Sequence, residues 1–277
     1  MKWSWKLGRF AGVDTYVHAS FLLLVGWAAW AAWTGAGTGV AVVLGLLFLV
    51  GVFASVLLHE LGHALAARRY GIRTLGITLL PIGGLAQLEG EPRTPKQELV
   101  IALAGPAVNF VLAAALFVVV SIAGLPSFGL LGSLLVANLS LGLFNLIPAF
   151  PMDGGRALRA LVATRVGGPR ATEIAVWIGK VAAIAFGIIG LFTNIMLTLV
   201  AVFVWFAASA EGRRSNDVYF GTRYGRDRVS RPWLWRPAYD DIGSGSWVEP
   251  AHAYASRSDL LRPEAPPVVV IFGRRLL

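Results

Sequence analysis

Residues 56–69 read VLLHELGHALAARR, and this stretch decides the fold. His59 and His63 are four positions apart, so on a helix their side chains project from one face, a turn from each other. Two imidazoles at this spacing can bind Zn²⁺, and a carboxylate beside them, here Glu60, can take a proton from the attacking water. The stretch therefore predicts a helix that carries a metal site and a general base.

The sequence around this motif is apolar. Glu60 is the only charged residue between positions 19 and 67. A lone acid flanked by two histidines is costly in a bilayer, and ionisable groups in such a setting are functional candidates. The alternative for any isolated HExxH match is an ordinary surface helix. That alternative does not explain three titratable groups near the end of an apolar span.

The composition of the chain indicates an integral membrane protein. Of its 277 residues, 56% are hydrophobic and 14% are charged, whereas a soluble domain has about 25% charged residues. Cysteine is absent, so His, Asp, Glu or water must hold any metal. The net charge of +9 is spread over segments that flank apolar spans, which favours membrane topology over nucleic-acid binding.

The hydrophobic pattern predicts an all-α polytopic membrane protein with about six transmembrane helices. The predicted spans cover residues 19–34, 40–67, 99–123, 128–148, 174–190 and 193–210. Three asparagines lie in the uncharged region that holds spans three and four, namely Asn109, Asn138 and Asn145.

Residues 70–97, between spans two and three, are too short and too rich in Gly and Pro to form another span. They predict a small membrane-associated β-hairpin or sheet with its turn at Gly83 and Gly84. Irregular backbone at membrane depth is tolerated where it lines a protein cavity. Such a hairpin could offer an edge strand to an unwound substrate, and the alternative is an ordinary surface hairpin.

The pattern divides the chain into an N-terminal segment, a membrane domain and a tail. The expected bounds are 1–17 for the interfacial segment, 18–210 for the six-span domain with its core at about 40–155, and 211–277 for the basic tail. The tail is expected to lie on the membrane surface or to be partly disordered. His18 is expected to be an interfacial or structural histidine, with a role as third metal ligand as the alternative. Lys180 is expected to snorkel or to face the bundle interior.

Basic residues indicate the orientation in the membrane. Except for Lys180, all Lys and Arg residues fall in the N-terminus, in 68–98, in 153–173 or in the tail. By the positive-inside rule, both termini of this multi-pass protein of the cell membrane are predicted to be cytoplasmic. The HExxH motif then lies in the cytoplasmic half of the bilayer.

The same topology brings Asp153 to the depth of the histidines. His59 and His63 lie near the cytoplasmic end of span two, and Asp153 follows the cytoplasmic end of span four. Catalytic zinc takes three protein ligands and keeps an open position, and Asp153 is the only ionisable residue from 99 to 155. We therefore predict His59, His63 and Asp153 as ligands of one zinc ion per chain. The alternative for Asp153 is a turn residue before a Gly-Gly pair.

These residues together resemble the site-2 protease family of intramembrane zinc metalloproteases. The resemblance covers roughly residues 12–210 and rests on four motifs: HELGH at 59–63, PIGG at 81–84, GPAVN at 105–109 and NLIPAFPMDGG at 145–155. It implies a three-span catalytic core, corresponding to spans two to four. No connection between the spans is long enough for a PDZ domain, and the tail does not look like the regulatory domain pair of some members.

The resemblance also implies roles for single residues. Glu60 would be the general base of a zinc site formed by the three ligands predicted above. Asn145 would help to hold the substrate carbonyl or its oxyanion, and Asn109 would support the site. Gly83 and Gly84 match the family's re-entrant hairpin and would bind substrate.

The predicted function is regulated intramembrane proteolysis, the hydrolysis of a peptide bond within or near the transmembrane segment of a membrane protein. The expected partner is a single-span membrane protein, in bacteria an anti-sigma factor or a signal-peptide remnant. The alternatives are a catalytically silent zinc-binding membrane scaffold and a zinc transporter. A transporter usually offers ionisable groups along a path through several spans, whereas these gather at one depth.

Overall fold

The computed structural model describes residues 3–81, 83–124, 126, 129–230, 270–271 and 274–275, with the backbone alone from 214 onward. Within these residues the chain forms seven helices and six strands. In chain order they are β1 (Ser4–Phe10), β2 (Val13–His18), α1 (Phe21–Ala36), α2 (Gly39–Arg69), β3 (Thr74–Leu80), β4 (Gly83–Leu88), α3 (Pro95–Ile122), α4 (Leu130–Asn145), α5 (Asp153–Val166), α6 (Gly168–Thr193), α7 (Ile195–Ser230), β5 (Val270–Ile271) and β6 (Arg274–Arg275).

Helix α2 is the helix that the HExxH stretch predicts. Thr38 caps its N-terminus, where the threonine hydroxyl accepts a hydrogen bond of 3.3 Å from the Ala41 N–H. Most residues from Phe53 to Ala67 are buried, and they lie on more than one side of the helix. The second half of α2 is therefore enclosed by the bundle, and it carries both histidines.

In the part of the chain that the structure describes, four helices are long and apolar enough to cross a membrane, namely α2, α3, α6 and the Ile195–Arg213 part of α7. Helices α1 and α4 have 16 residues each, and at 1.5 Å per residue they are about 24 Å long, less than the roughly 30 Å of a bilayer core. Large apolar side chains such as Trp27, Phe192 and Phe206 are exposed, as expected for a lipid-facing surface. The membrane class is confirmed, while six spans stay a prediction.

The strands form one sheet in the order β1-β2-β3-β4-β5-β6. Strand β2 pairs in parallel with β3, while β1–β2 and β3–β4 are antiparallel hairpins. The hairpin between α2 and α3 is therefore part of a larger sheet than the sequence predicts.

An ion pair of 2.9 Å joins Lys6 on β1 to Asp14 on β2, and the hydrogen bond from Lys6 lowers the pKa of Asp14.

The predicted turn of this hairpin is wrong by two residues. Leu80 pairs with Gly83 and Leu79 with Gly84, so both glycines belong to β4 and the turn comes before them. Pro81 explains the shift, because proline has no N–H to continue the ladder and favours a turn. Ile82 of the PIGG motif lies outside the described residues.

The sheet is held against α2 by a shared apolar core. The cluster contains residues of β2, α2 and β3: Val13, Phe53, Leu57, Leu61, Ala64, Ile77 and Leu79. Because the α2 members lie on the turns that carry the histidines, this core fixes the hairpin beside the HExxH motif.

Helix α5 was not predicted, and it is the element that places Asp153. Asp153 occupies its first turn, where a carboxylate is stabilised by the helix dipole. A side chain at Gly154 would collide with the backbone carbonyl of Leu146, so glycine lets the first turn of α5 pack against the connection from α4. This close approach holds Asp153 against the bundle.

Lys180 and His18 each contact a nearby side chain. The Lys180 Nζ lies 5.3 Å from the centre of the Trp205 ring, so it faces α7. His18 Nδ1 lies 2.7 Å from the Ser20 hydroxyl, a local contact beside α1. Helix α7 runs beyond the predicted end of the last span, and residues 231–269 of the predicted tail lie outside the described residues.

Candidate metal centre

Three ligand atoms from α2 and α5 meet at one point. The Nε2 atoms of His59 and His63 are 3.1 Å apart, and Asp153 Oδ2 lies 3.1 Å from the first and 3.2 Å from the second. The side chains of His59, His63 and Asp153 are 8%, 10% and 12% exposed. The fold thus brings together all three side chains that the sequence predicts as ligands, from helices far apart in the chain.

Hydrogen bonds at the other ring nitrogen fix the form of each histidine. His63 Nδ1 lies 2.7 Å from the carbonyl oxygen of Ile101, and His59 Nδ1 lies 2.7 Å from Oδ1 of Asn109. A carbonyl oxygen only accepts, so each Nδ1 donates, and in the neutral ring Nε2 keeps its lone pair. Metal-binding histidines are held in this way by an acceptor behind the ring.

The donor set fits a metal ion. Two Nε2 lone pairs and a carboxylate oxygen converge with no hydrogen-bond donor among them, and a cation relieves their mutual repulsion. Tetrahedral zinc with bonds of about 2.0–2.1 Å separates its ligand atoms by about 3.3 Å, close to the 3.1–3.2 Å found here. Within the described residues this is the one group of three or more potential metal ligands.

Gly105 of α3 packs against the metal-facing nitrogens of the two imidazoles. A Cβ at this position would overlap Nε2 of His63 and would lie 2.7 Å from Nε2 of His59. Both atoms are the predicted metal ligands, so the space beside them has no room for a side chain. The sequence motif GPAVN therefore supplies a glycine where α3 touches the site.

Glu60 follows His59 on α2 and lies against the hairpin. A Cβ at Gly84 would lie 2.5 Å from Glu60 Cγ and 3.1 Å from Oε1. The backbone of β4 therefore forms one wall of the space that the carboxylate occupies. Gly83 has a φ of 136° and no such contact, so of the two glycines it is Gly84 that touches the site.

The two predicted asparagines differ in their contacts. Asn109 is fully buried and contacts His59 directly, while its role in supporting the site stays a prediction. The side-chain amide of Asn145 instead donates to the carbonyl of Leu141 at 3.0 Å, within α4. The role of Asn145 in holding a substrate carbonyl stays a prediction.

Sequence reasoning missed two groups that the fold adds to the site. One is the backbone carbonyl of Ile101, which no side-chain pattern identifies. The other is the pair Ser55 and Asn138, polar residues in apolar spans that lie behind Asn109. Their polar side chains within predicted apolar spans were the signal available in the sequence, because unpaired polar groups are costly there.

An ion pair ties α5 to α3 near this centre. Arg159 Nε donates to Glu98 Oε1 at 2.9 Å, and its Nη2 contacts the same oxygen. The Glu98 side chain is 10% exposed and that of Arg159 is 30% exposed. The pair therefore fixes the helix that carries Asp153.

Replacing Arg159 with Met is expected to lower the free energy of unfolding in detergent by about 2 kcal/mol, because it leaves the buried Glu98 unpaired and the partial exposure of the pair reduces the loss. Zinc affinity should fall as well, since α5 loses an anchor. Arg165→Met, at an exposed position of the same helix, is the control. Equal decreases in the free energy of unfolding for Arg159→Met and Arg165→Met would contradict this role for the ion pair.

Comparison with known proteins agrees with this geometry. The sequence profile of peptidase family M50 matches residues 47–127 and 124–186. The solved structure of the site-2 protease from Methanocaldococcus jannaschii is similar, with a TM-score of 0.56 and 38% identity, over 76% of this chain and 95% of that one. The chain belongs to the site-2 proteases, peptidase family M50.

Two curated relatives of this site-2 protease family member are named as zinc metalloproteases. One, from Methanocaldococcus jannaschii, is 41% identical over 230 residues, which is 77% of this chain and 62% of the relative. The putative zinc metalloprotease Rip3 of Mycobacterium tuberculosis is 36% identical over 249 residues, 82% of this chain and 63% of the relative. The chain thus spans about three fifths of the length of these relatives. Their names, with the three-residue cluster, identify zinc as the metal.

Proposed function

We propose that this chain is an intramembrane zinc metalloprotease that hydrolyses a peptide bond within or near the transmembrane segment of a membrane protein. The observation that carries the proposal is the convergence of three ligand atoms from His59, His63 and Asp153 inside an apolar bundle. Glu60, next in the chain to one ligand, supplies the base that hydrolysis requires.

In this mechanism His59, His63 and Asp153 hold the zinc ion, which when bound polarises the scissile carbonyl and activates water. Glu60 takes the proton of the attacking water and delivers it to the leaving amine. The Asn145 amide has two N–H groups, and the bond to Leu141 uses one of them. The other is proposed to donate to the substrate carbonyl oxygen as negative charge develops there.

The edge of β4 is the proposed docking place for the substrate. Among the described residues, β5 pairs with β4 at one position, Leu88 with Val270, so the rest of that edge has no strand partner. A segment of substrate that unwinds from its helix can add to such an edge through backbone hydrogen bonds. Because Gly84 contacts Glu60, a strand bound there would pass close to the general base.

Gly84→Ala is expected to lower kcat/KM for a transmembrane substrate by about 10²-fold, because the new Cβ displaces either the Glu60 carboxylate or the strand. Zinc content should stay unchanged, since the ligands are not touched. Gly90→Ala is the matched control, at a glycine after the same hairpin with open space around it. Full activity of Gly84→Ala would contradict the proposed position of the base against β4.

The proposed topology has six spans, cytoplasmic termini and an active site in the cytoplasmic half of the bilayer. The distribution of Lys and Arg supports it. The chain has no cysteine, so single cysteines can report accessibility without background labelling. A cysteine at Thr38 should react with an impermeant reagent added outside the cell, and one at Arg93 should react only after permeabilisation. The reverse pattern would overturn the orientation.

Proteolysis is proposed ahead of the two alternatives, a silent zinc-binding scaffold and a zinc transporter. The presence of Glu60 favours an enzyme over a scaffold. The ligands of the described residues gather in one cluster, whereas transport needs ionisable groups along a path. The test is to reconstitute the purified chain with a single-span substrate, either an anti-sigma factor or a signal-peptide remnant. We expect a cleavage fragment of the substrate, and a zinc chelator should prevent its formation. Zinc flux into the vesicles without any fragment would favour the transporter.

A further inference from the structure

A line of buried polar side chains runs from His59 through the bundle. Asn109 places Oδ1 2.7 Å from His59 Nδ1 and donates from Nδ2 to Asn138 Oδ1 at 3.4 Å. Asn138 donates to the Ser55 hydroxyl at 3.0 Å, and Ser55 donates to the Gly51 carbonyl at 3.0 Å. Asn109, Asn138 and Ser55 are 0%, 1% and 7% exposed. The line joins α2, α3 and α4.

Backbone carbonyls at the far end fix the direction of every hydrogen bond in this line. The carbonyl of Leu134 accepts from Asn138 Nδ2 at 2.9 Å. Because a carbonyl only accepts, Asn138 must turn its NH₂ toward Leu134 and its oxygen toward Asn109. Asn109 must then turn its NH₂ toward Asn138 and its oxygen toward His59. Inverting the amide of Asn109 or of Asn138 would place a buried donor against a donor, or a buried acceptor against an acceptor, and those groups would lose their hydrogen bonds.

The two histidines differ in how much help they need. The acceptor behind His63 is the backbone carbonyl of Ile101, whose position is set by helix α3 itself. The acceptor behind His59 is a side-chain amide, which can present either its oxygen or its NH₂. An amide group in that place orients the ring only if something else orients the amide.

We propose that Asn138, held by Ser55 and by the carbonyl of Leu134, is a positioning residue for the metal ligand His59. It acts through Asn109, whose fixed oxygen holds His59 in the form with Nδ1–H and leaves Nε2 to the metal. This inference rests on the proposed zinc site and extends it to a residue of α4 that touches neither metal nor substrate. Buried polar groups of this kind are expensive in apolar helices, which fits a functional reason for keeping them.

The test is the zinc affinity of full-length chain in detergent, measured by competition with a chelator. Asn138→Leu should weaken zinc binding by about tenfold, the lower end of the effect of losing a group that orients a ligand. Asn109→Leu should weaken it at least as much. The double variant should bind no more weakly than Asn109→Leu alone, because both substitutions interrupt one line.

Additive losses in that cycle would overturn the proposal, since they would mean that Asn138 acts on the site without Asn109. The matched control is Thr172→Val, at a residue that is 2% exposed and whose hydroxyl donates to the Gly168 carbonyl within α6. Its zinc affinity should equal that of the unaltered chain. If Thr172→Val lost as much zinc affinity as Asn138→Leu, the loss would be a general result of deleting a buried polar group, and the proposal would be wrong.

Ser55 provides a second test if Asn138→Leu does not fold. Ser55→Ala should weaken zinc binding, but by less than Asn138→Leu, because the Leu134 carbonyl still holds the Asn138 amide. Ser55→Thr keeps the hydroxyl that accepts from Asn138 and should bind zinc as tightly as the unaltered chain. The absorption spectrum of bound Co²⁺ should change in Ser55→Ala and not in Ser55→Thr. Unchanged affinities and spectra would overturn this inference alone, whereas an unaltered chain that binds no zinc would overturn the proposed metal site itself.

Discussion

Glu60→Gln is expected to reduce cleavage of a transmembrane substrate by about 10²–10⁴-fold, the usual contribution of a general acid–base group. Glutamine has nearly the same shape but cannot accept the proton of the attacking water. The three ligand atoms lie on other side chains, so zinc content should remain at one ion per chain. Fragment formation and zinc content should both be measured on the same reconstituted sample.

Glu89→Gln is the matched control, because Glu89 is an exposed glutamate just after β4. It should cleave at the rate of the unaltered chain. If Glu60→Gln also cleaved at that rate with zinc bound, the base would have to be another residue, and the proposed mechanism would be wrong. If it lost zinc, Glu60 would be contributing to metal binding instead.

Gly105→Ala is expected to weaken zinc binding by about 10²-fold or more, because its Cβ would overlap the ligand atom of His63 and lie 2.7 Å from that of His59. Neither ring can easily retreat, since hydrogen bonds to Ile101 and Asn109 hold them from behind. Zinc bound to the purified chain, counted per polypeptide, measures the effect.

Gly26→Ala in α1 is the control for this substitution, because it adds the same methyl group to a helix where nothing lies within 4 Å. Alanine favours the helix over glycine there, so folding should not suffer. Gly105→Ala protein with full zinc content and normal activity would show that α3 does not pack against the ligand nitrogens as described.

The ligand set could be predicted from the sequence because two independent patterns agree. The helical period puts His59 and His63 on one face, and the distribution of basic residues puts Asp153 at the same depth. The helical period and the distribution of basic residues can both be read from the sequence, because neither depends much on side-chain packing. The distances between the three ligand atoms agree with this prediction.

Other features depend on packing that the sequence does not display. Gly83 and Gly84 look like a turn, but the backbone of β4 needs Gly84 to make room for Glu60. Helix α5 carries too many charged residues to read as a span, and its position depends on the contact of Gly154 with the preceding connection. In the sequence, Asn138 is a single polar residue within an apolar stretch. Only the fold shows that it forms hydrogen bonds with Asn109 and Ser55, which lie on other helices.

The central claim is that two imidazoles and one carboxylate from separate helices hold a single zinc ion. X-ray absorption at the zinc edge of the purified chain tests it most directly. The expected spectrum has nitrogen and oxygen neighbours at about 2.0–2.1 Å with the signal of two imidazole rings, and Asp153→Ala should lose the metal. Zinc that is absent, that lacks imidazole neighbours, or that remains unchanged in Asp153→Ala would contradict the account.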